Sequence, residues 1–261
     1  MAKLTWQIDP SWRAVAKYSS DPVEINNQNA SPFVASEASA YQEQGGSIAG
    51  ITVDGALTDR LLWNVSLGSF SSELNLYPQS GDLESVAILD FGSQTLSNNF
   101  DRQQYRESTR NEVTTDLSWF VGDLAGSHEF KFGLEYADME WTSAECLTGT
   151  AGGVRCAEGV MGYFINSLGP IPFSMNTDLN PGFTSETGTL TTAFVQDSWR
   201  IGRHITAKIG VRYDMVSYDD EEGTQVADFE KWQPRLGLSW DITGDNKNLV
   251  RANYGQYMHP N

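Results

Sequence analysis

The chain has 261 residues, of which 39% are hydrophobic and 20% charged, and 34 acidic residues against 17 Lys and Arg give a formal net charge of -17. Its 12 Phe, 10 Tyr and 8 Trp argue against a disordered chain, and the lack of a Lys/Arg stripe excludes nucleic acid as a partner. A mean hydropathy of -0.39 argues against a helical membrane protein. The longest uncharged run, residues 159–177, contains Gly and Pro and therefore does not form a membrane-spanning helix.

The predicted elements are strands, because apolar and polar residues alternate with a period of two and almost no 3.6-residue pattern occurs. In chain order the alternation covers residues 3–9 and 12–19, 51–57 and 63–68, 112–119 and 129–136, 189–199 and 205–218, and 232–242 and 250–254. A short turn separates the two members of each pair. The sequence therefore predicts about ten strands in five antiparallel hairpins.

The connections between these hairpins are much longer than the turns inside them. Three are long, at residues 20–44, 71–108 and 142–188, and residues 219–231 form a moderate one. A soluble sandwich has no reason to collect its short turns at one end, whereas an outer-membrane barrel has short periplasmic turns and long extracellular loops. We therefore predict an all-β fold, an antiparallel transmembrane β-barrel with long extracellular loops.

The predicted strands have an apolar face and a polar face. Leu4, Val65, Leu134 and Val211 belong to the apolar face, which we expect to contact outer-membrane lipid. The strand around Phe194 leaves its orientation open, since either Phe194 or the next residue could face lipid. Charges of the polar face are expected to point into the lumen and form an ion-pair network: Arg13, Lys17, Glu112, Asp116, Glu135, Arg212, Asp214, Arg235 and Arg251.

Six tryptophans lie near the short turns. Side chains of this type concentrate where a membrane meets water, so we predict that they form an aromatic girdle. The alternative is that they fill the end of a sandwich core. The six are Trp6, Trp12, Trp63, Trp119, Trp199 and Trp240.

The long connections contain candidates for ligand contact and for a disulfide. Phe100, Tyr105, Tyr163 and Phe164 stand among polar residues, a composition that suits ligand recognition and equally suits packing of the loops on one another. The only two cysteines, Cys146 and Cys156, are ten positions apart in the longest connection. We expect them to form a disulfide, because this connection would lie on the oxidising side of the envelope.

Motifs for catalysis or metal binding do not emerge from the sequence. The three histidines, His128, His204 and His259, lack the spacing of paired metal ligands, and there is no Gly-x-Ser-x-Gly elbow. The acidic run at 219–222 could ligate Ca²⁺, but it lacks the spaced oxygen ligands of a dedicated site and indicates a solvated loop tip. We expect neither enzymatic activity nor a resident cofactor, and an outer-membrane protease or lipase is the enzyme alternative.

Several strand segments resemble the barrel strands of TonB-dependent outer-membrane receptors. The most specific are Phe-Val-Gln-Asp-Ser-Trp-Arg at 194–200 and Ile-Gly-Val-Arg-Tyr-Asp at 209–214. Residues 233–240 and 250–255 are similar to the next strand pair of that family. A looser likeness covers residues 130–136 and the opening hairpin, and the arrangement is most similar to the Oar-like branch.

The resemblance implies a 22-stranded barrel in the outer membrane of a Gram-negative bacterium, closed by an N-terminal plug that a TonB-contacting segment precedes. Residues 1–261 are then expected to form about ten strands of that barrel domain, with the plug domain and the signal peptide absent from this chain. The implied function is TonB-energised uptake of an unidentified small-molecule or peptide substrate. The alternatives are a complete ten-strand barrel, porin-like or with a hydrolase at its rim, and a soluble sugar-binding sandwich.

Overall fold

The computed structural model describes residues 1–122, 124–177, 182–245 and 247–258, and strands dominate it. Its one short 3-10 helix is Ser36–Ala38, and the described part contains no helix of membrane-spanning length. The strands are β1 (Ala2–Asp9), β2 (Trp12–Ser20), β3 (Val23–Asn26), β4 (Ala40–Thr58), β5 (Leu61–Pro78), β6 (Ala87–Asp90), β7 (Thr95–Ser97), β8 (Arg102–Val121), β9 (Ser127–Leu147), β10 (Tyr163–Leu168), β11 (Ile171–Thr177), β12 (Gly182–Ile201), β13 (Ile205–Asp219), β14 (Gln225–Asp241) and β15 (Leu249–Gly255).

The principal sheet follows the chain in order. Its path is β1-β2-β4-β5-β8-β9-β12-β13-β14-β15, every neighbouring pair is antiparallel, and β3 pairs with β4 beyond the end of β2. Five connections of two to seven residues lie at one end of the sheet, and three much longer ones lie at the other together with the five-residue β13–β14 turn. The prediction of ten antiparallel strands in five hairpins is confirmed, as is the difference between the two rims.

The strands are longer than the alternation predicts. β4, β5, β8, β9 and β12 have 19, 18, 20, 21 and 20 residues, whereas a strand needs about 9–11 to cross a membrane. The predicted connections 20–44, 71–108 and 142–188 are therefore too wide, and 219–231 shrinks to a turn at 220–224. Beyond the membrane both faces of a strand meet water, so the apolar-polar alternation that marks a strand in sequence disappears there.

The strand register assigns residues to the two faces, because directly opposed residues of antiparallel strands share a face. One face, called the apolar face below, carries opposed apolar pairs, among them Val53–Val65, Leu67–Val113, Leu117–Phe132 and Val195–Val211. The predicted alternation is confirmed along these strands. Near the longer rim the other face, called the polar face, also carries Phe70, Trp141 and Phe229.

The register also decides the orientation that the sequence leaves open in β12. Val195 is opposed to Phe132 on one side and Val211 on the other, so it belongs to the apolar face. Phe194 therefore lies on the polar face, above Gly133. A Cβ at Gly133 would come within 2.2 Å of the Phe194 ring, and glycine leaves the room that this ring occupies.

All six girdle tryptophans share the apolar face near the short rim, and their contact with lipid remains a prediction. Asp197 also lies on that face, beside Trp199. His128 contacts this carboxylate: its Nδ1 is 2.7 Å from an oxygen of Asp197, and its ring stacks between Phe130 and Trp199 with centroid distances of 5.3 Å. This carboxylate beside the predicted girdle near Trp199 therefore has a hydrogen-bonding partner at the rim.

Arginine substitutions at two adjacent positions of β12 test the assignment of the two faces, because the two positions lie at the same depth along the strand. Val195→Arg in the full-length protein is expected to destabilise the assembled barrel by about 2–4 kcal/mol, because it places a charge against hydrocarbon. Gln196→Arg, on the polar face, is the matched control and should cost less than about 1 kcal/mol. Urea titration of the protein folded into lipid vesicles measures both changes. A larger loss in Gln196→Arg would mean that the two faces are assigned the wrong way round.

Candidate functional site

The polar face carries a connected set of charges midway along the strands. Arg110 donates through Nε to Glu112 at 2.9 Å and through Nη2 to Glu135 at 3.2 Å. The second carboxylate oxygen of Glu135 accepts from Arg212 Nη2, also at 3.2 Å. Glu135 thus joins two arginines that belong to β8 and β13, with β9 and β12 between them.

The same network continues toward β14. Arg212 Nε and the Thr192 hydroxyl each donate to Asp214 Oδ1 at 2.7 Å, and the Gln233 amide donates to the other oxygen of Asp214. Thr192, Asp214 and Gln233 are buried. Each carboxylate here has charge-assisted partners, which makes the network a rigid cross-brace over five strands. We call these seven residues, from Arg110 to Gln233, the polar belt.

The other predicted lumen charges lie on the polar face but outside the polar belt. Arg13 pairs with Asp54 at 3.0 Å, and Asp116 pairs with Lys131 at 3.1 Å. The Arg235 guanidinium lies 5.2 Å from the centroid of the Tyr257 ring. In the part of the chain that the structure describes, Lys17 and Arg251 have no ion-pair partner. Their lumen-facing role remains a prediction.

Three members of the polar belt are not among the charges predicted from the sequence. Arg110 lies just before the predicted start of its strand, and Thr192 and Gln233 are uncharged. Continuing the alternation back from Glu112 by two residues would have found Arg110. No sequence signal marks Thr192 and Gln233, because their importance comes from the strands that flank them.

At the longer rim the connections form a second sheet, called the loop sheet, with the strand order β11-β10-β6-β7. β6 belongs to one long connection and β10 to another, and they pair in parallel. Asp90 strengthens this junction, since its Oδ1 accepts from the Gly169 N–H at 2.9 Å and its Oδ2 from the Ser93 hydroxyl at 2.7 Å. These hydrogen bonds lower the pKa of the Asp90 carboxyl below its ordinary value, and the bond from the Gly169 N–H has the largest effect.

The first long connection joins the same layer. Leu96 of β7 donates its N–H to the Phe33 carbonyl at 2.8 Å and accepts from the Ala35 N–H at 2.9 Å. The buried Asn99 amide donates to the Asp82 and Ser85 carbonyls at 2.9 and 2.7 Å. Hydrogen bonds between the connections therefore hold all three in one structure.

The four aromatic candidates for ligand contact take different positions. Phe100 and Tyr105 are buried, with the Tyr105 ring 6.4 Å from the Tyr77 ring and covered by the Arg155 guanidinium at 3.8 Å. This burial favours the packing interpretation for both. Tyr163 and Phe164 are half-buried in β10. A ligand role for these two remains a prediction.

The two cysteines lie beside the buried Tyr105. Their Sγ atoms are within bonding distance and their Cα atoms are 5.8 Å apart. The buried Gln103 side chain supports this arrangement, because its Oε1 accepts from the Cys156 N–H and from the Tyr105 hydroxyl, both at 3.1 Å. The structure thus brings the predicted pair together on β9 and the connection that follows it.

The acidic run at 219–222 begins with the last residue of β13 and continues into the β13–β14 turn. Asp220 Oδ1 accepts from the backbone N–H groups of Glu222 at 3.0 Å and Thr224 at 2.8 Å. Within the described ranges, no three His, Cys, Asp or Glu side chains are placed to hold a metal ion. His204 contacts the Asp241 carbonyl at 3.2 Å, and His259 lies outside the described residues.

An apolar face, a braced polar face and a structured rim of long connections together define the wall of an outer-membrane β-barrel. The family model for the TonB dependent receptor-like β-barrel matches residues 2–261. Over 150 residues the chain is 28% identical to the TonB-dependent transporter Oar of Myxococcus xanthus, a match that covers 53% of this chain and 14% of Oar.

Solved structures share the fold at low sequence identity. The outer membrane transporter YddB of Escherichia coli aligns with 99% of this chain and 31% of its own, with a TM-score of 0.67 and 17% identity. FpvA of Pseudomonas aeruginosa aligns with 96% of this chain and 34% of its own, with a TM-score of 0.64 and 12% identity. The chain therefore spans about a third or less of these proteins.

The chain belongs to the TonB-dependent receptor β-barrel family, which is a family of receptors and transporters. Its place is the outer membrane of a Gram-negative bacterium. The resemblance that the strand segments suggest is confirmed, as is the relationship to Oar.

Thiol alkylation tests the cysteine pair. We expect Cys146 and Cys156 to resist maleimide in the unfolded, unreduced full-length protein and to react after reduction, which mass spectrometry of the peptides would show. The closed loop would stabilise the fold by about 2–3 kcal/mol in the chain-entropy model. Full labelling of both thiols without reductant would exclude the bridge.

Removal of one arginine tests the polar belt. Arg212→Ala removes one of the two arginine bonds to Glu135 and the only arginine bond described for Asp214, each of which contributes about 1.5–3 kcal/mol, and should lower the melting temperature of the full-length barrel markedly. Arg13→Ala breaks a more exposed ion pair on the same face and should cost less than about 1 kcal/mol. Heat modifiability on electrophoresis compares the two. Equal melting temperatures would refute the bracing role.

Proposed function

We propose that this chain is a wall segment and part of the outer rim of a receptor that takes up a small molecule or a peptide with energy from TonB. The family membership supports the general function of uptake across the outer membrane. The finer statement rests on one observation about the structure. A single chain segment combines a braced polar face with an outer rim whose connections are built into a layer.

The polar belt suits a wall against which a plug domain sits. Its carboxylates and guanidinium groups are already satisfied by one another, so the wall keeps its shape while a neighbouring domain moves. Lys17 and Arg251 remain on the same face as cations that an acidic group of a plug would attract. We therefore assign the polar face to plug contact.

The loop sheet suits recognition of a substrate from outside the cell. Binding loops need positions that a rigid scaffold holds, and here three connections hold each other through backbone pairing and Asp90. An enzymatic rim is disfavoured by the family, which is one of receptors and transporters, and no metal cluster occurs among the described side chains. Recognition without chemistry is the function we propose for this rim.

TonB dependence is the direct test of the proposed function. Cells with the intact receptor should deplete at least one solute from a complex medium, and depletion should fail both when the receptor gene is deleted and when TonB is deleted. Untargeted mass spectrometry of the spent medium measures this, and restoring the receptor gene is the control. Depletion that needs the receptor but continues at full rate without TonB would contradict energised uptake and support a porin-like barrel.

A further inference from the structure

The two outer edges of the loop sheet differ in whether another segment pairs with them. At β7 the edge is occupied, because residues 33–35 lie beside Leu96 in a parallel bridge and exchange two backbone hydrogen bonds with it. At the opposite edge, β11 pairs only with β10 in the described part of the chain. This edge presents about half of its backbone N–H and C=O groups away from its neighbour.

The composition of β11 does not protect this edge. It lies in the uncharged run 159–177, although a fifth of the chain is charged. Edge strands are ordinarily protected from pairing by charged side chains, lysine above all. Instead, Ile171, Phe173 and Met175 are 66%, 58% and 62% exposed. The Phe91 ring packs against Phe173 at a centroid distance of 5.5 Å and widens the apolar surface.

The position of the free groups defines the size of a partner. Pro170 and Pro172 donate no N–H, and the register shift after Asn166 interrupts the start of the strand, so the usable edge is residues 173–177. Five residues in extended form measure about 17 Å. Asp90 holds the Gly169 N–H in the β10–β11 turn, which fixes this edge in advance.

We propose that residues 173–177 bind an extended, uncharged peptide by β-strand addition, so that the substrate or partner is a peptide; this deepens the proposed function and rests on it. A row of backbone donors and acceptors is matched in spacing by another peptide backbone. The alternating apolar side chains would contact apolar residues of that peptide. β11 itself has no charged side chain that could pair with a charge on the ligand, which agrees with an uncharged peptide.

A defined peptide tests this proposal in the full-length receptor in lipid nanodiscs. The probe is an acetylated, fluorescein-labelled heptapeptide of alternating Val and Thr, followed by fluorescence anisotropy. Met175→Lys should weaken binding at least tenfold, because it adds a charge and a bulky cation to the edge. Met161→Lys is the matched control: Met161 is 49% exposed in the same uncharged run but outside any strand, and its substitution should change binding less than twofold.

Two further measurements keep the test independent of folding defects. In the wild-type receptor, hydrogen exchange at residues 173–177 should be fast and should slow at least tenfold when the peptide is added. Two further peptides are N-methylated, one at its odd-numbered and one at its even-numbered residues. One of them should lose binding and the other should keep it, because only alternate amides of a strand face the edge.

Several results would overturn the proposal. The first is equal binding of both N-methylated peptides, and the second is absence of binding to the wild type. The third is slow hydrogen exchange at residues 173–177 in the free receptor, which would mean that another part of the receptor, or a second copy, covers the edge. None of these measurements needs TonB. Failure to bind the peptide while TonB-dependent uptake continues would therefore overturn the peptide assignment alone, whereas loss of TonB dependence would overturn the proposed function.

Discussion

Backbone hydrogen bonding in hydrocarbon is the constraint on which the rest of this structure depends. No water reaches the N–H and C=O groups of a strand inside a membrane, so each must pair with the neighbouring strand. Consecutive antiparallel hairpins satisfy this with the shortest connections, and the principal sheet accordingly follows chain order from β1 to β15. β1 and β15 each have one neighbour in the described part, which agrees with a chain that spans about a third of the barrel proteins it resembles.

The same constraint separates the side chains. Once the backbone is paired, one face of each strand meets lipid and the other meets the barrel interior, so charges gather on the interior side and need partners there. Glu135 satisfies two arginines at once, and Asp214 is buried with three donors. Asp197 lies on the apolar face near the short rim, and His128 lies beside it there.

Outside the membrane the constraint is relaxed, and the chain uses the freedom to build the loop sheet. Strands β6 and β10, from different connections, pair in parallel, and residues 33–35 add to the edge of β7. Such a layer holds its free edge at β11 in a defined geometry. Together with the lack of charge in that strand, this fixed edge is what makes peptide addition a specific proposal for this receptor.

Alternation in the sequence by itself determined the ten strands of the principal sheet, their hairpin pairing and the two faces, because inside a membrane each position has one solvent and the choice of residue records it. The lengths of the connections between the predicted strands determined the difference between the rims. The tertiary structure alone decided the rest. It showed that Phe194 lies over Gly133, that Arg110 and Gln233 join the polar belt, and that β9 is 21 residues long, more than the alternation predicts. It also buried Phe100 and Tyr105 and paired β6 with β10. These features depend on residues distant in the chain, and where both faces of a strand meet water no local pattern records them.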